Sequence, residues 1–248
     1  MGATSTPRAR KPPHAQAFTR KLLAWWARAA RDLPWRRTRD PYRVLVSEFM
    51  LQQTQVSRVA EYYPRFLERF PDLATLASAK PRAVREAWDG LGYYARASNL
   101  HALARVVSRD HDGKLPDVPE ELVKLPGVGP YTAGAVATFA YEKPVPAVDT
   151  NVARVIRRVF FGRGERGAVP AAANRASGSR RREPLPAPRS RDIWVLTRAL
   201  VPKTGKRAWK FNQAIMELGA LVCKARAPKC RECPLQPVCK TGRRLGRR

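Results

Sequence analysis

Apolar residues recur at helical spacing along most of the chain. "FTRKLLAWWARAARDLPW" places Phe18, Leu22, Trp25 and Trp26 on one stripe. Asp40 followed by Pro41 reads as an N-cap and first helical position, opening "YRVLVSEFMLQQ". Thr54 is placed to cap "QVSRVAEYYPRFLERF", where Pro64 predicts a kink or a break. Asp72 starts "DLATLASA", and Pro81 opens "RAVREAW", which ends at Gly90. "ARASNLHALARVVSRD" is amphipathic with a period of 3.6. "PEELVKL" and "YTAGAVATFAYE" flank a tight "PGVGP" loop, and "TNVARVIRRVFF", "RDIWVLTRALV" and "AWKFNQAIMELGALV" follow. No run alternates as a strand would. The pattern predicts an all-α fold of roughly ten helices with short connections.

One stretch breaks the rhythm. Residues 163–191, "RGERGAVPAAANRASGSRRREPLPAPRSR", are rich in Arg, Pro, Gly and Ala and poor in large apolar side chains. Such a composition buries too little surface to offset chain entropy. It predicts a flexible cationic insertion, serving either phosphate contact or a plain link. Residues 1–14 and 240–248 read as disordered basic tails.

Charge changes the picture more than composition does. There are 48 Lys and Arg against 20 Asp and Glu, a formal charge of +28. An excess of this size selects a polyanionic partner, nucleic acid or an acidic membrane surface. No apolar run reaches the ~18 residues of a membrane span, and the basic N-terminus lacks the apolar core of a secretory signal. The expectation is a monomeric protein of the reducing cytoplasm, associated with the nucleoid and not with membrane.

All four cysteines lie close together, as Cys223-x6-Cys230-x2-Cys233-x5-Cys239. In a reducing compartment such clusters bind metal more often than they form disulfides. Four thiolates can hold one zinc ion or a [4Fe–4S] cluster. Zinc sites usually carry two close cysteine pairs and here only one pair is close, so the spacing leans toward iron–sulfur.

"LPGVGPYTAGAV" reads as helix, glycine turn and helix. Gly127 and Gly129 free the backbone for close approach, and the N–H groups of the following helix start form an anion site. This hairpin, the later "VDTNV" and the cysteine spacing together resemble the helix-hairpin-helix base-excision DNA glycosylases. "SEFMLQQTQV", "LPWR" and "GLGYYARASNL" resemble the A/G-specific adenine glycosylase branch in particular. The resemblance covers about residues 20–162 and 192–239. It implies two lobes, one about 42–147 and the other about 15–41 plus 148–239. It also implies a [4Fe–4S] cluster on Cys223, Cys230, Cys233 and Cys239, and mispaired or oxidised double-stranded DNA as partner.

Expelling adenine from its sugar needs one carboxyl to donate a proton and another to face the cationic sugar as an anion. The resemblance gives the first role to Glu48 and the second to Asp149. Val46, Phe49, Met50 and Leu51 surround Glu48 in sequence, a setting that keeps a carboxyl protonated. Asp149 starts a helix, where N–H groups favour the ionised form; local sequence alone favours a plain N-cap over a catalytic anion, and one residue can be both. Tyr131 and Asn151 are expected to hydrogen-bond Asp149 and the substrate. Endonuclease III-like relatives carry a Schiff-base lysine where Tyr131 stands, and a phenol cannot form that imine, so the expected enzyme is monofunctional. The target base must also be flipped out of the stack. Gln53 and Tyr93 match the family's intercalating and opposite-base residues, with Leu91 beside them. Arg31, Leu33, Trp35, Leu51 and Glu217 match its adenine pocket.

The match departs in two places. Thr150 stands where the branch often has Gly. Many members also continue past the cysteines into a Nudix-like domain that reads 8-oxoguanine, whereas this chain ends nine residues after Cys239. Discrimination is then either weaker or supplied around Gln53 and Tyr93. The alternatives are a thymine or uracil mismatch glycosylase of the same superfamily and a non-catalytic iron–sulfur module that binds DNA.

Overall fold

The computed structural model describes residues 12–162 and 190–245. Most of the insertion and of the N-terminal tail therefore lies outside the described residues. Among the described residues twelve α-helices follow one another: α1 (Ala15–Ala29), α2 (Pro41–Leu51), α3 (Val56–Arg69), α4 (Leu73–Ser78), α5 (Pro81–Ala87), α6 (Ala95–Asp110), α7 (Pro119–Leu122), α8 (Pro130–Phe139), α9 (Thr150–Ile156), α10 (Ser190–Leu200), α11 (Gly205–Leu221) and α12 (Lys240–Leu245). Among the described residues there is no strand, and no helix is long and apolar enough to cross a membrane.

The caps explain where several helices begin. The Asp40 carboxylate accepts from the Arg43 N–H, and Asp72 accepts from Thr75, each at 2.8 Å. Thr54 does not cap α3: Gln55 holds that position, without a side-chain bond. Helix α3 also runs unbroken through Pro64, which lies on its exposed side. Parts of the expected insertion and of the expected C-terminal tail are helical. Ser190 and Arg191 open α10, and residues 240–245 form α12. Thr241 there donates to the Arg158 carbonyl at 2.9 Å, and the Gly242 N–H donates to Cys239 Sγ at 3.2 Å. Tertiary partners supply the order that a basic composition does not show.

The chain forms two compact units. One comprises Ala30–Val148 with Val201–Asn212; the other comprises the described residues of Met1–Ala29, Asp149–Leu200 and Gln213–Arg248. Residues 30–41 and 201–212 thus go with the first lobe, not with the second as expected. Their contacts give the reason. Trp35 meets Tyr63 edge-on at 5.7 Å, Arg39 lies 4.1 Å over Trp209, and the Asn212 amide oxygen accepts from the Ala147 N–H at 3.0 Å.

In the first unit α2 is central. Eight of its eleven residues, Tyr42 and Val44 through Met50, are buried, so this helix is enclosed on every side. Helices α3, α6 and α8 pack around it. In the second unit Phe18 of α1 stacks at 5.2 Å on Phe160, in a five-residue π-helical turn, Arg157–Phe161, that extends α9.

Candidate active site

Glu48 sits inside the buried helix α2 with 3% of its surface exposed. A carboxyl in that position needs a hydrogen-bonding partner. The Tyr131 hydroxyl donates to Glu48 Oε2 at 2.7 Å. Tyr131 lies in the first turn of α8, which packs on α2. Tyr131, expected to hydrogen-bond Asp149 and the substrate, thus donates to Glu48. The hairpin turn makes this contact possible. Gly127 has φ +73°, and a Cβ there would lie 2.7 Å from Asn99 Cβ and 3.0 Å from Phe49. Its freedom is spent on packing within the unit. Gly129 has open space where a Cβ would point.

Asp149 belongs to the other unit. It is the N-cap of α9: Oδ1 accepts from the Val152 N–H at 2.6 Å and Oδ2 from the Asn151 amide at 2.7 Å. Arg154 joins this set, donating from Nη2 to Asn151 Oδ1 at 2.6 Å and from Nε to the Cys223 carbonyl at 2.8 Å. The close approach of α11 to α9 depends on Gly219, where a Cβ would fall 2.6 Å from Asn151 Cβ. Burial raises the Asp149 carboxyl above its ordinary value, against the opposing pull of Val152, Asn151 and Arg154. The helix start was expected to favour the anion; it does, but desolvation outweighs it.

Gln53 and Tyr93 each hold a left-handed backbone, with φ +58° and +48°. Such conformations cost about 1–3 kcal/mol in a non-glycine residue and persist where neighbours enforce them. Tyr93 is 63% exposed and Leu91 is buried. Arg96, a residue the sequence reading did not single out, binds both loops. Its guanidinium donates to the carbonyls of Phe49 at 3.0 Å, Met50 at 2.7 Å and Gln52, at the end of α2. It also donates to Leu91 at 3.1 Å and Gly92 at 3.0 Å, just before Tyr93. The only hint in the sequence is its position: Arg96 shares the buried face of α6 with Leu100, Leu103 and Val107.

Cys223, Cys230, Cys233 and Cys239 line one cavity with Val155, Leu218 and Leu235. Among the described residues, no three His, Cys, Asp or Glu side chains are grouped closely enough for a single metal ion. Burial pushes the Cys233 thiol up to about 12 and raises Cys239 as well. Arg158 holds the loop start, donating to Cys223 Sγ at 3.4 Å and to the Lys224 carbonyl at 2.7 Å.

The remaining expected pocket residues are divided between the units. In the first, Leu33 and Trp35 are buried, Arg31 and Leu51 are half-buried, and the Arg31 carbonyl accepts from Arg36 at 2.9 Å. In the second, Glu217 is 1% exposed.

The family model for the HhH-GPD superfamily base excision DNA repair protein matches residues 46–176. An adenine DNA glycosylase of Mycobacterium tuberculosis is 46% identical over 215 residues, covering 86% of this chain and 64% of that protein. A thymine-DNA glycosylase of Aeropyrum pernix is 35% identical over 226 residues, covering 90% of this chain and 93% of that protein. A solved structure of a thermostable thymine-DNA glycosylase superposes with a TM-score of 0.77 at 32% identity, over 93% of this chain and 97% of its own. The chain spans about two-thirds or less of the adenine glycosylases it matches. With its all-helical fold, its glycine hairpin and these relatives, the chain belongs to the HhH-GPD superfamily of base excision DNA repair proteins.

Proposed function

We propose that the protein is a monofunctional DNA glycosylase that hydrolyses adenine from duplex DNA, opposite 8-oxoguanine or guanine. The observation that carries this reading is the contrast between the two carboxylates. Glu48 is enclosed in a buried helix with a phenol on one oxygen. Asp149 is cradled by a backbone N–H and an amide at a helix start. The chemistry needs this asymmetry, with one group giving a proton to the purine while the other stabilises the positive sugar. In this reading Glu48 is the acid and handles water, held in place by Tyr131, and Asp149 is the anion, oriented by Asn151. Exposed Tyr93 and Gln53 meet the duplex where the base leaves the stack, with Gly127 and Gly129 in the hairpin against the phosphates. Arg31, Leu33, Trp35, Leu51 and Glu217 receive the adenine. Adenine DNA glycosylases at 41–46% identity support the choice of base.

The cysteine set fits a [4Fe–4S] cluster better than zinc. All four sulfurs face one cavity, whereas zinc draws its ligands to about 2.3 Å from a single ion. When bound, the cluster ties four points of the loop together and holds the buried sulfurs as thiolates. Arg158, which donates to Cys223 Sγ, would offset its negative charge.

A thymine mismatch glycosylase is the second reading, favoured by the 93% of the Aeropyrum pernix protein that the chain covers. Base release from A·8-oxoguanine, A·G, T·G and U·G duplexes separates the two. Release from the two adenine duplexes is expected; release confined to T·G and U·G replaces the adenine reading, and release from none removes the enzymatic one.

A further inference from the structure

A second set of polar side chains converges between α5 and α6, away from the residues assigned above. Arg85, Ser98, His101 and Arg105 line a cavity of about 130 Å³, partly open to solvent, with Val84 and Ala97 as its apolar floor. His101 is only 6% exposed, and its Nε2 is enclosed without a hydrogen-bond partner. Buried polar atoms in folded proteins are nearly always paired, so an unpaired one bordering a cavity points to a ligand or ordered water there. Ser98, His101 and Arg105 are three and four residues apart on α6, so they share one face of it, and Arg85 comes from α5.

The charges are uncompensated. No carboxylate lines the cavity, and neither Arg85 nor Arg105 has an ion-pair partner among the described residues. The nearest acid in sequence, Glu86, is taken by Arg82 at 2.9 Å and Arg69 at 3.4 Å. Arg85 instead rests 4.9 Å over the Tyr94 ring, which steadies the guanidinium without neutralising it. Two free guanidinium forks, a hydroxyl and an imidazole nitrogen around a small cavity suit a tetrahedral oxyanion.

We infer that this cavity is a phosphate-binding site. The phosphate can come from the backbone of bound duplex or from a small free phosphate, and the chemistry of recognition is the same. The site does not depend on the excision reaction, since none of its four residues takes part in it.

The full chain tests this in two arms. In the first, thermal unfolding is followed with inorganic phosphate at ~10 mM against chloride at matched ionic strength. A phosphate-specific rise of about 2 °C or more is expected, and it is lost in the surface variant Arg85→Ala/Arg105→Ala and in His101→Phe. In the second, affinity for undamaged duplex is measured across salt. If the backbone supplies the phosphate, Arg105→Ala lowers the log–log salt slope by about one, and His101→Phe weakens binding by about threefold or more. An unchanged duplex response with a lost phosphate effect identifies a small free phosphate. The proposal is overturned if phosphate stabilises no more than chloride and His101→Phe binds duplex like the parent. It is equally overturned if phosphate stabilisation survives the double arginine substitution.

Discussion

Asp149 shows how a single residue can cost stability where it supplies chemistry. Burial raises its carboxyl above the ordinary 3.8 despite its three opposing partners. The folded state therefore holds its proton to higher pH than the unfolded chain does, so stability falls as pH rises from 3.8 toward the raised value. Asparagine at 149 can still accept from Val152 but carries no charge to desolvate. Asp149→Asn is expected to be at least as stable as the parent at neutral pH, with the gap closing as pH drops below 4; melting curves across pH check this, alongside loss of base release. Glu48→Gln should cut single-turnover excision by about 10²–10⁴-fold, the usual range for a general acid, while leaving duplex binding nearly intact. Tyr131 offers no amine, so borohydride should trap no stoichiometric covalent DNA complex. Both carboxylates were legible in the sequence because each lies in a short local motif. The Tyr131–Glu48 bond was not, because it spans 83 residues and only the packing of α8 on α2 brings the two together.

Among the elements, the Arg96 clasp joins the end of α2 to the loop before Tyr93. Its multiple carbonyl acceptors suit a planar guanidinium and exceed what a point-charge ammonium can satisfy. Arg96→Lys should destabilise the protein by about 2 kcal/mol or more and weaken duplex binding disproportionately, read by comparing melting with affinity. Rescue of affinity at full occupancy of the folded state would mean that the clasp is only structural. The cysteine loop allows a second comparison: if it holds the proposed cluster, removing iron should lower the melting temperature and expose all four thiols to alkylation together. Helix starts at Asp40 and Asp72 could be read from side chains that cap their own turn. The start of α3 could not, since it has no side-chain cap. Helix α12 was missed because the Thr241 hydroxyl that anchors it reaches back 83 residues to the Arg158 carbonyl.

For the whole molecule, a formal charge of +28 sets how strongly salt should matter. Each phosphate neutralised releases about 0.9 counterion, so duplex affinity should fall steeply and linearly on a log–log plot; a flat response would remove the electrostatic argument. The order of the chain carries a separate consequence. One compact unit is drawn mostly from a single stretch, Ala30–Val148, while the other gathers three separated stretches. On the ribosome α1 emerges well before α9, and Phe18 finds the ring it packs against only once Phe160 has been made. At about 5–20 residues per second, the apolar stripe of α1 waits on the order of ten seconds without a place to go. A nascent chain halted in that interval should engage holdase chaperones through α1.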